Sequence, residues 1–211
     1  MKYIIVYTKE FENGEKYHKW VPGPHYEWSA EHLIEQIEKE PKAFDYLLVP
    51  FILTLSSSLE ANLNDWMLID TFNKHGAQFY KPIAEAYTGA AFAKKLRLAV
   101  AVMTDNHFQL NESSPIVKKL DELIAARNKI THPLTFFQVE EQVNKPPMSR
   151  IQNHPLQSLT PQQCKDYYKA VTDFDRLFFK QYDKGVIYEN EMILEIKKPQ
   201  RKKGRENKNS G

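Results

Sequence analysis

The chain has 211 residues, 42% of them hydrophobic and 12% aromatic, enough for one domain with a sizeable core and an appendage. The formal net charge of +2 is unevenly spread: from Lys197 onward there are seven basic residues and one acidic residue, so the remaining 22 basic and 26 acidic residues leave the rest of the chain at −4. An acidic body argues against a broad nucleic-acid surface, though a local basic site still suits one phosphate or a short single strand.

A single cysteine, Cys164, excludes an intramolecular disulfide framework and fits a reducing compartment. The apolar run at the start is too short for a signal peptide, and no stretch approaches the ~20 apolar residues of a membrane helix. The expectation is a cytoplasmic protein with no membrane association. There is no glycine-rich phosphate loop, His-Glu-x-x-His, Cys-x-x-Cys pair or nucleophile elbow, so triphosphate hydrolysis, zinc chemistry and serine hydrolysis have no support.

In chain order, Lys2 to Thr8 is β-branched and aromatic and reads as a strand, Glu12 to Glu15 as a turn, and Tyr17 to Trp20 as a return strand. Val21-Pro22-Gly23-Pro24 ends the hairpin. His18, His25 and His32 fall seven apart, but the Pro-Gly-Pro segment is expected to break any helix through them, so they are read as surface residues rather than metal ligands. A first helix opens at Ser29, with Leu33, Ile34 and Ile37 as its apolar stripe, and Pro41 limits or kinks it. Ala43 to Val49 is compatible with a helix. A long helix over 51–73 carries Phe51, Leu55, Leu59, Leu63, Trp66 and Ile69 at helical spacing and stops at Gly76. Its other side holds Ser57, Glu60, Asn64 and Asp65. A helix from Pro82 to about Thr104 follows, bent or closely packed at Gly89, with core candidates Leu96, Leu98, Ala99 and Met103. Its cluster Lys94, Lys95 and Arg97 reads as a solvated face. Asp105 to Asn111 is a loop.

Ser114-Pro115 is a helix start, a capping hydroxyl followed by proline at the first helical position. Ile116, Leu120, Leu123, Ile124 and Ile130 form one stripe, and Pro133 ends the helix near Thr131 or His132. Residues 133–143 are aromatic and β-branched and suit an extended segment, and 144–161 form a proline-rich loop. Thr160 caps a further helix that begins with Pro161 and runs to about Asp183, with Tyr167, Val171, Phe174, Phe178 and Tyr182 on one stripe. Cys164 near its start reads as a structural thiol. Gly185 stops this helix, and 186–196 suits a strand, paired by guess with the N-terminal one. The basic stretch 197–211 is expected to be disordered.

The helix over 115–131 ends in Arg127-Asn128-Lys129-Ile130-Thr131-His132. Arg, Asn, three residues and His at the end of an amphipathic helix resembles the signature of the HEPN superfamily (higher eukaryotes and prokaryotes nucleotide-binding domains). Upstream, residues 56–64 resemble the small-residue, Glu-bearing early helix of that family. The resemblance covers residues 28–183 and implies a mainly α, HEPN-like bundle of about five helices, with short β segments near both termini. The chain then divides into a β and linker appendage (1–27), the helical domain (28–196) and the basic tail (197–211).

The resemblance also implies chemistry. Many HEPN proteins resemble metal-independent ribonucleases of defence and toxin–antitoxin systems. That implies Arg127 as phosphate ligand, His132 as acid or base, Asn128 as the residue orienting one of them, and Glu60 as a carboxylate polarising the site, with no metal or cofactor. On one ideal helix Asn128 and His132 share a face, but Arg127 and His132 stand about 140° apart. They meet if His132 leaves the helix, or if two copies face each other across a two-fold axis, as the family's composite dimer sites imply. The implied partners are RNA or a nucleotide, a second copy of the chain and an antitoxin.

Two other readings stand beside this one. Arg127 and Lys129 also suit the carbonyl end of a helix as caps. The chain is then a non-catalytic module binding a nucleotide, RNA or protein, or a helical adaptor whose interface is the aromatic helix over 167–182.

Overall fold

The structure is a computed structural model that describes residues 6–10, 14–131, 159–180 and 192–197. His132, the segment 133–143, most of the loop that follows it, Tyr182 and the basic stretch from residue 198 lie outside the described residues.

The described chain is mainly helical. A hairpin of β1 (Val6–Glu10) and β2 (Lys16–Trp20) leads into α1 (Gly23–Lys39), and a short turn at Pro41–Ala43 leads into α2 (Phe44–Thr88). Then come α3 (Phe92–Met103), β3 (Phe108–Leu110), α4 (Pro115–Thr131), α5 (Pro161–Phe174) and β4 (Leu194–Ile196). The hairpin is antiparallel with Val6 opposite Trp20 and Glu10 opposite Lys16, the register that a turn at Gly14, with φ of 83°, sets up.

α1 begins six residues before the expected Ser29. Pro24 sits in the first turn, where a missing N–H costs nothing, so the Pro-Gly-Pro segment starts a helix and does not break one. His25 and His32 therefore share one helix, and only His18, on β2, is separated from them. Gly23 is buried against α2: the Ser58 hydroxyl donates to its carbonyl at 3.2 Å, and an added Cβ would stand 1.8 Å from Asn62 Oδ1.

α2 is the spine of the bundle. Leu48, Phe51, Ile52, Leu55, Leu59, Leu63 and Met67 are all buried along it. It starts at Phe44 and continues across Pro50; Tyr46, Val49 and Pro50 are exposed, so the carbonyl that the proline cannot serve lies on the wet side. Gly76 breaks the helical path with φ of 70°, as its position predicts, but the chain resumes helix at once and continues through Pro82 to Thr88. The expected helix from Pro82 to Thr104 is thus two, parted at Gly89–Ala91. The segment Pro41–Thr88 is, among the described residues, long and apolar enough to cross a membrane by length and composition, which corrects the expectation that no stretch approaches that; half of its most apolar window is buried inside the bundle.

Two expectations about strands change. The residues expected as a loop after α3 include β3, and β4 pairs antiparallel with β3 rather than with the N-terminal strand. Asp105 and Asn106, at φ of 49° and 63°, turn the chain back off α3, and Leu110, Ile193 and Leu194 bury their side chains beneath the new pair. β3 lies mid-chain, whereas β4 is the last described element, near the C-terminal end, so the sheet joins the two regions. The Ser114 hydroxyl donates to the carbonyl of Met192, which ties the start of α4 to the same strand.

α5 carries the expected cap: Thr160 accepts from the Gln163 N–H at 3.2 Å, and the Gln163 side chain takes the Thr160 N–H at 2.9 Å. The helix loosens into a π turn at Asp175–Phe179. That extra residue lets Phe178 and Phe179 both turn inward, and Phe179 stacks on Trp66 of α2 with ring centroids 5.8 Å apart and planes within 7°.

Candidate functional site where three helices meet

Glu60 lies on the α2 spine just after the run of serines. Ser56 and Ser58 are buried and small, so neighbouring helices approach α2 closely here. Leu59 and Leu63 face the core, and Glu60, one step round, emerges at its edge with about a quarter of its side chain exposed.

α3 brings Lys95 to this carboxylate. Its ammonium donates to Glu60 Oε1 at 2.7 Å, and the residue is only 5% exposed. This corrects the reading of Lys94, Lys95 and Arg97 as one solvated face. Lys94 alone is exposed; Arg97 forks to Glu112 and to Asp121 of α4, with contacts of 2.7 to 2.9 Å. Those bonds hold the Arg97 guanidinium protonated well above its ordinary range. Lys95 was legible in principle, because Phe92, Lys95, Leu96, Ala99 and Met103 recur at helical spacing and all are buried.

α4 supplies the third side. Arg127 Nη2 stands 3.6 Å from Glu60 Oε2, and Nη1 donates to Asn128 Oδ1 at 3.1 Å. The guanidinium also lies 5.8 Å from the centre of the Phe92 ring. The structure therefore brings Glu60, Arg127 and Asn128 together and adds Lys95. Asn64, four residues after Glu60, does not join them: its Oδ1 is buried with no hydrogen-bond partner among the described residues. Thr131, the last residue of α4, turns its hydroxyl back to the Arg127 carbonyl at 3.1 Å. His132 is the next residue in the chain and lies outside the described residues.

The charges decide what this cluster can do. Two cations share one carboxylate. Lys95 makes the short contact with it and Arg127 the long one, so Lys95 satisfies Glu60 and Arg127 keeps most of its capacity for another anion. About a quarter of the Arg127 side chain is exposed, which leaves an approach for a phosphate.

Comparison of the chain with known protein families, with curated proteins and with solved structures finds no match in any of the three.

Proposed function

We propose that this chain is a metal-independent endoribonuclease of the HEPN type that acts on RNA as a homodimer. The observation that carries the reading is the state of Arg127: a guanidinium at the end of an amphipathic helix, held by Asn128, Glu60 and Phe92 yet partly open to solvent. A guanidinium so fixed binds a phosphate without reorganising and stabilises the charge that grows on its oxygens. RNA supplies its own nucleophile. The 2′-oxygen attacks the adjacent phosphorus, the bond to the 5′-oxygen breaks, and the products are a 2′,3′-cyclic phosphate and a 5′-hydroxyl. His132 takes the 2′-hydroxyl proton or returns one to the leaving oxygen, which an imidazole of reference pKa ~6.5 does near neutrality. Two copies across a two-fold axis provide one imidazole for each proton.

The test compares wild type, Arg127→Ala and His132→Ala on total RNA in excess EDTA, with product ends analysed and oligomeric state measured in parallel. Cleavage by the wild type alone, leaving cyclic phosphates, is expected. A His132→Ala protein that cleaves as fast as wild type overturns the mechanism, and a monomeric active enzyme overturns the composite site.

A second reading rests on the same ion pair. Arg127 already has an acidic neighbour, as a structural arginine would, and the chain is then a non-catalytic module that binds a nucleotide or RNA. An inert wild type that still binds RNA through Arg127 selects it.

A further inference from the structure

The two oxygens of the Glu60 carboxylate are used unequally. Lys95 of α3 donates to Oε1 at 2.7 Å, and Lys95 is buried, so that cation is spent inside the fold. Oε2 has, among the described residues, the contact with Arg127, whose Nη2 stands 3.6 Å away, beyond hydrogen-bond distance. The side chains of Glu60 and Arg127 are 24% and 27% exposed, so a carboxylate oxygen and a guanidinium reach solvent side by side. Asn128 spends its Oδ1 on Arg127 Nη1, which leaves its amide N–H groups as donors. The site therefore offers donors from Arg127 and Asn128 and, beside them, an acceptor from Glu60.

We propose that Glu60 Oε2 reads the 2′-hydroxyl of a ribose whose 3′-phosphate lies on Arg127, so that the site selects a ribose-phosphate backbone over a deoxyribose one. The inference rests on Arg127 as the phosphate ligand and extends that reading from the charge to the sugar. A phosphodiester brings acceptors and no proton. Placed on Arg127 it also comes beside a carboxylate oxygen, and two anionic oxygens repel unless a donor stands between them. A ligand that suits both groups carries a hydroxyl next to its phosphate. In RNA the 2′-hydroxyl has that place, and it is the group by which a protein tells RNA from DNA. A hydroxyl that donates to a carboxylate makes a charge-assisted bond, stronger than a neutral one. Lys95 contributes by fixing the carboxylate through Oε1, so Oε2 is in place before a ligand arrives. The contact selects the ligand and is not a step of the cleavage.

The test is oligonucleotide binding to the full chain carrying His132→Ala, in EDTA, so that the ribose form stays intact. Fluorescein-labelled uridine hexanucleotide is compared with its 2′-deoxy and 2′-fluoro forms by anisotropy; the fluoro form keeps the ribose pucker but has no proton to donate. The ribose form is expected to bind about tenfold tighter than either, the worth of one hydrogen bond to a charged group. Glu60→Leu combined with Lys95→Met removes the buried pair together and is expected to bind all three alike. Glu60→Gln is expected to shrink the preference, and it decides the matter if the double variant fails to fold. Equal binding of the ribose and fluoro forms overturns the proposal, as does an undiminished preference in a folded Glu60 variant; if Arg127→Ala abolishes that binding, the phosphate site stands without it. Absence of binding, or binding that Arg127→Ala leaves unchanged, overturns the phosphate reading of Arg127 and this proposal with it.

Discussion

The ammonium of Lys95 and the carboxylate of Glu60 sit 2.7 Å apart, although 35 residues separate them along the chain. A lysine this deeply buried is stable only because the carboxylate meets it, and the carboxylate in turn is what Arg127 approaches. A double-mutant cycle with Lys95→Met and Glu60→Gln, read by urea unfolding, measures the coupling. Each single substitution is expected to cost about 1–3 kcal/mol, because Glu60→Gln leaves the buried Lys95 ammonium without its match and Lys95→Met leaves Glu60 only the longer contact with Arg127. The double substitution is expected to cost about 1–2 kcal/mol less than the two losses combined. Strict additivity would mean that the pair is incidental. If the ribonuclease reading holds, Lys95→Met also weakens RNA cleavage, since Glu60 then draws Arg127 closer and competes with the phosphate.

Gly23 and Asn62 make a second test, of how α1 seats on α2. A Cβ at Gly23 would overlap the Asn62 amide, which is itself buried and has little room to withdraw. Gly23→Ala is expected to lower stability by about 1–3 kcal/mol, the usual cost of overpacking. Asn62→Ala in the same chain is expected to recover part of that loss, and thermal or urea unfolding of the four proteins decides it. A fully tolerated Gly23→Ala would mean that the two helices do not approach this closely.

Local chemistry made several elements legible. Asn13-Gly14 marked the first hairpin, Ser114-Pro115 the start of α4, and Thr160-Pro161 the start of α5. Glu60 was singled out from its place on a helix of small residues, and it does lie beside Arg127. What local chemistry does not encode is partner choice over long separations. Nothing in Phe108–Leu110 names Leu194–Ile196 as its mate, and the pairing follows from the left-handed turn at Asp105 and Asn106 together with apolar burial. The passage of α2 across Pro50 depends on which side of the helix meets water, and that is settled by packing. Lys95 was misread because three basic residues close in sequence look like one surface, although at about 100° per residue Lys94 and Lys95 lie on different sides of α3.

Cys164 is fully buried near the start of α5, and burial alone pushes its thiol up to about 12. At pH 8 the folded protein carries the thiol almost entirely protonated, and the thiolate is the form that reacts. The native protein is therefore expected to show no reaction with Ellman's reagent over a time in which the unfolded protein in guanidinium chloride reacts completely. Rapid labelling of the folded chain would mean that the start of α5 opens readily, and would expose the core between α4 and α5.

Glu27 of α1 and Asp175 of the π turn make stability depend on pH. Burial raises both carboxyl groups above their ordinary values, and for Glu27 the charge of Asp175 adds to the rise; Lys180, 3.3 Å from Asp175, works against it. The sign follows from proton binding. Between the unfolded pKa, ~4 for such groups, and the raised value in the fold, the native state holds more protons than the unfolded one. Stability contributed by these two groups is therefore greatest at the acid end and falls as pH rises through that window. Asp173 and Asp105 are held below the ordinary range by Lys169 with Arg176 and by Lys74, and their contribution runs the opposite way at lower pH. Asp175→Asn removes one raised carboxyl and the charge that acts on the other. The fall in stability as pH rises above about 4 is expected to be shallower in Asp175→Asn than in wild type. Urea midpoints at a series of pH values, with a constant slope in denaturant, give the comparison directly. Parallel curves for the two proteins would mean that Asp175 is solvated and that the π turn does not press it against α1.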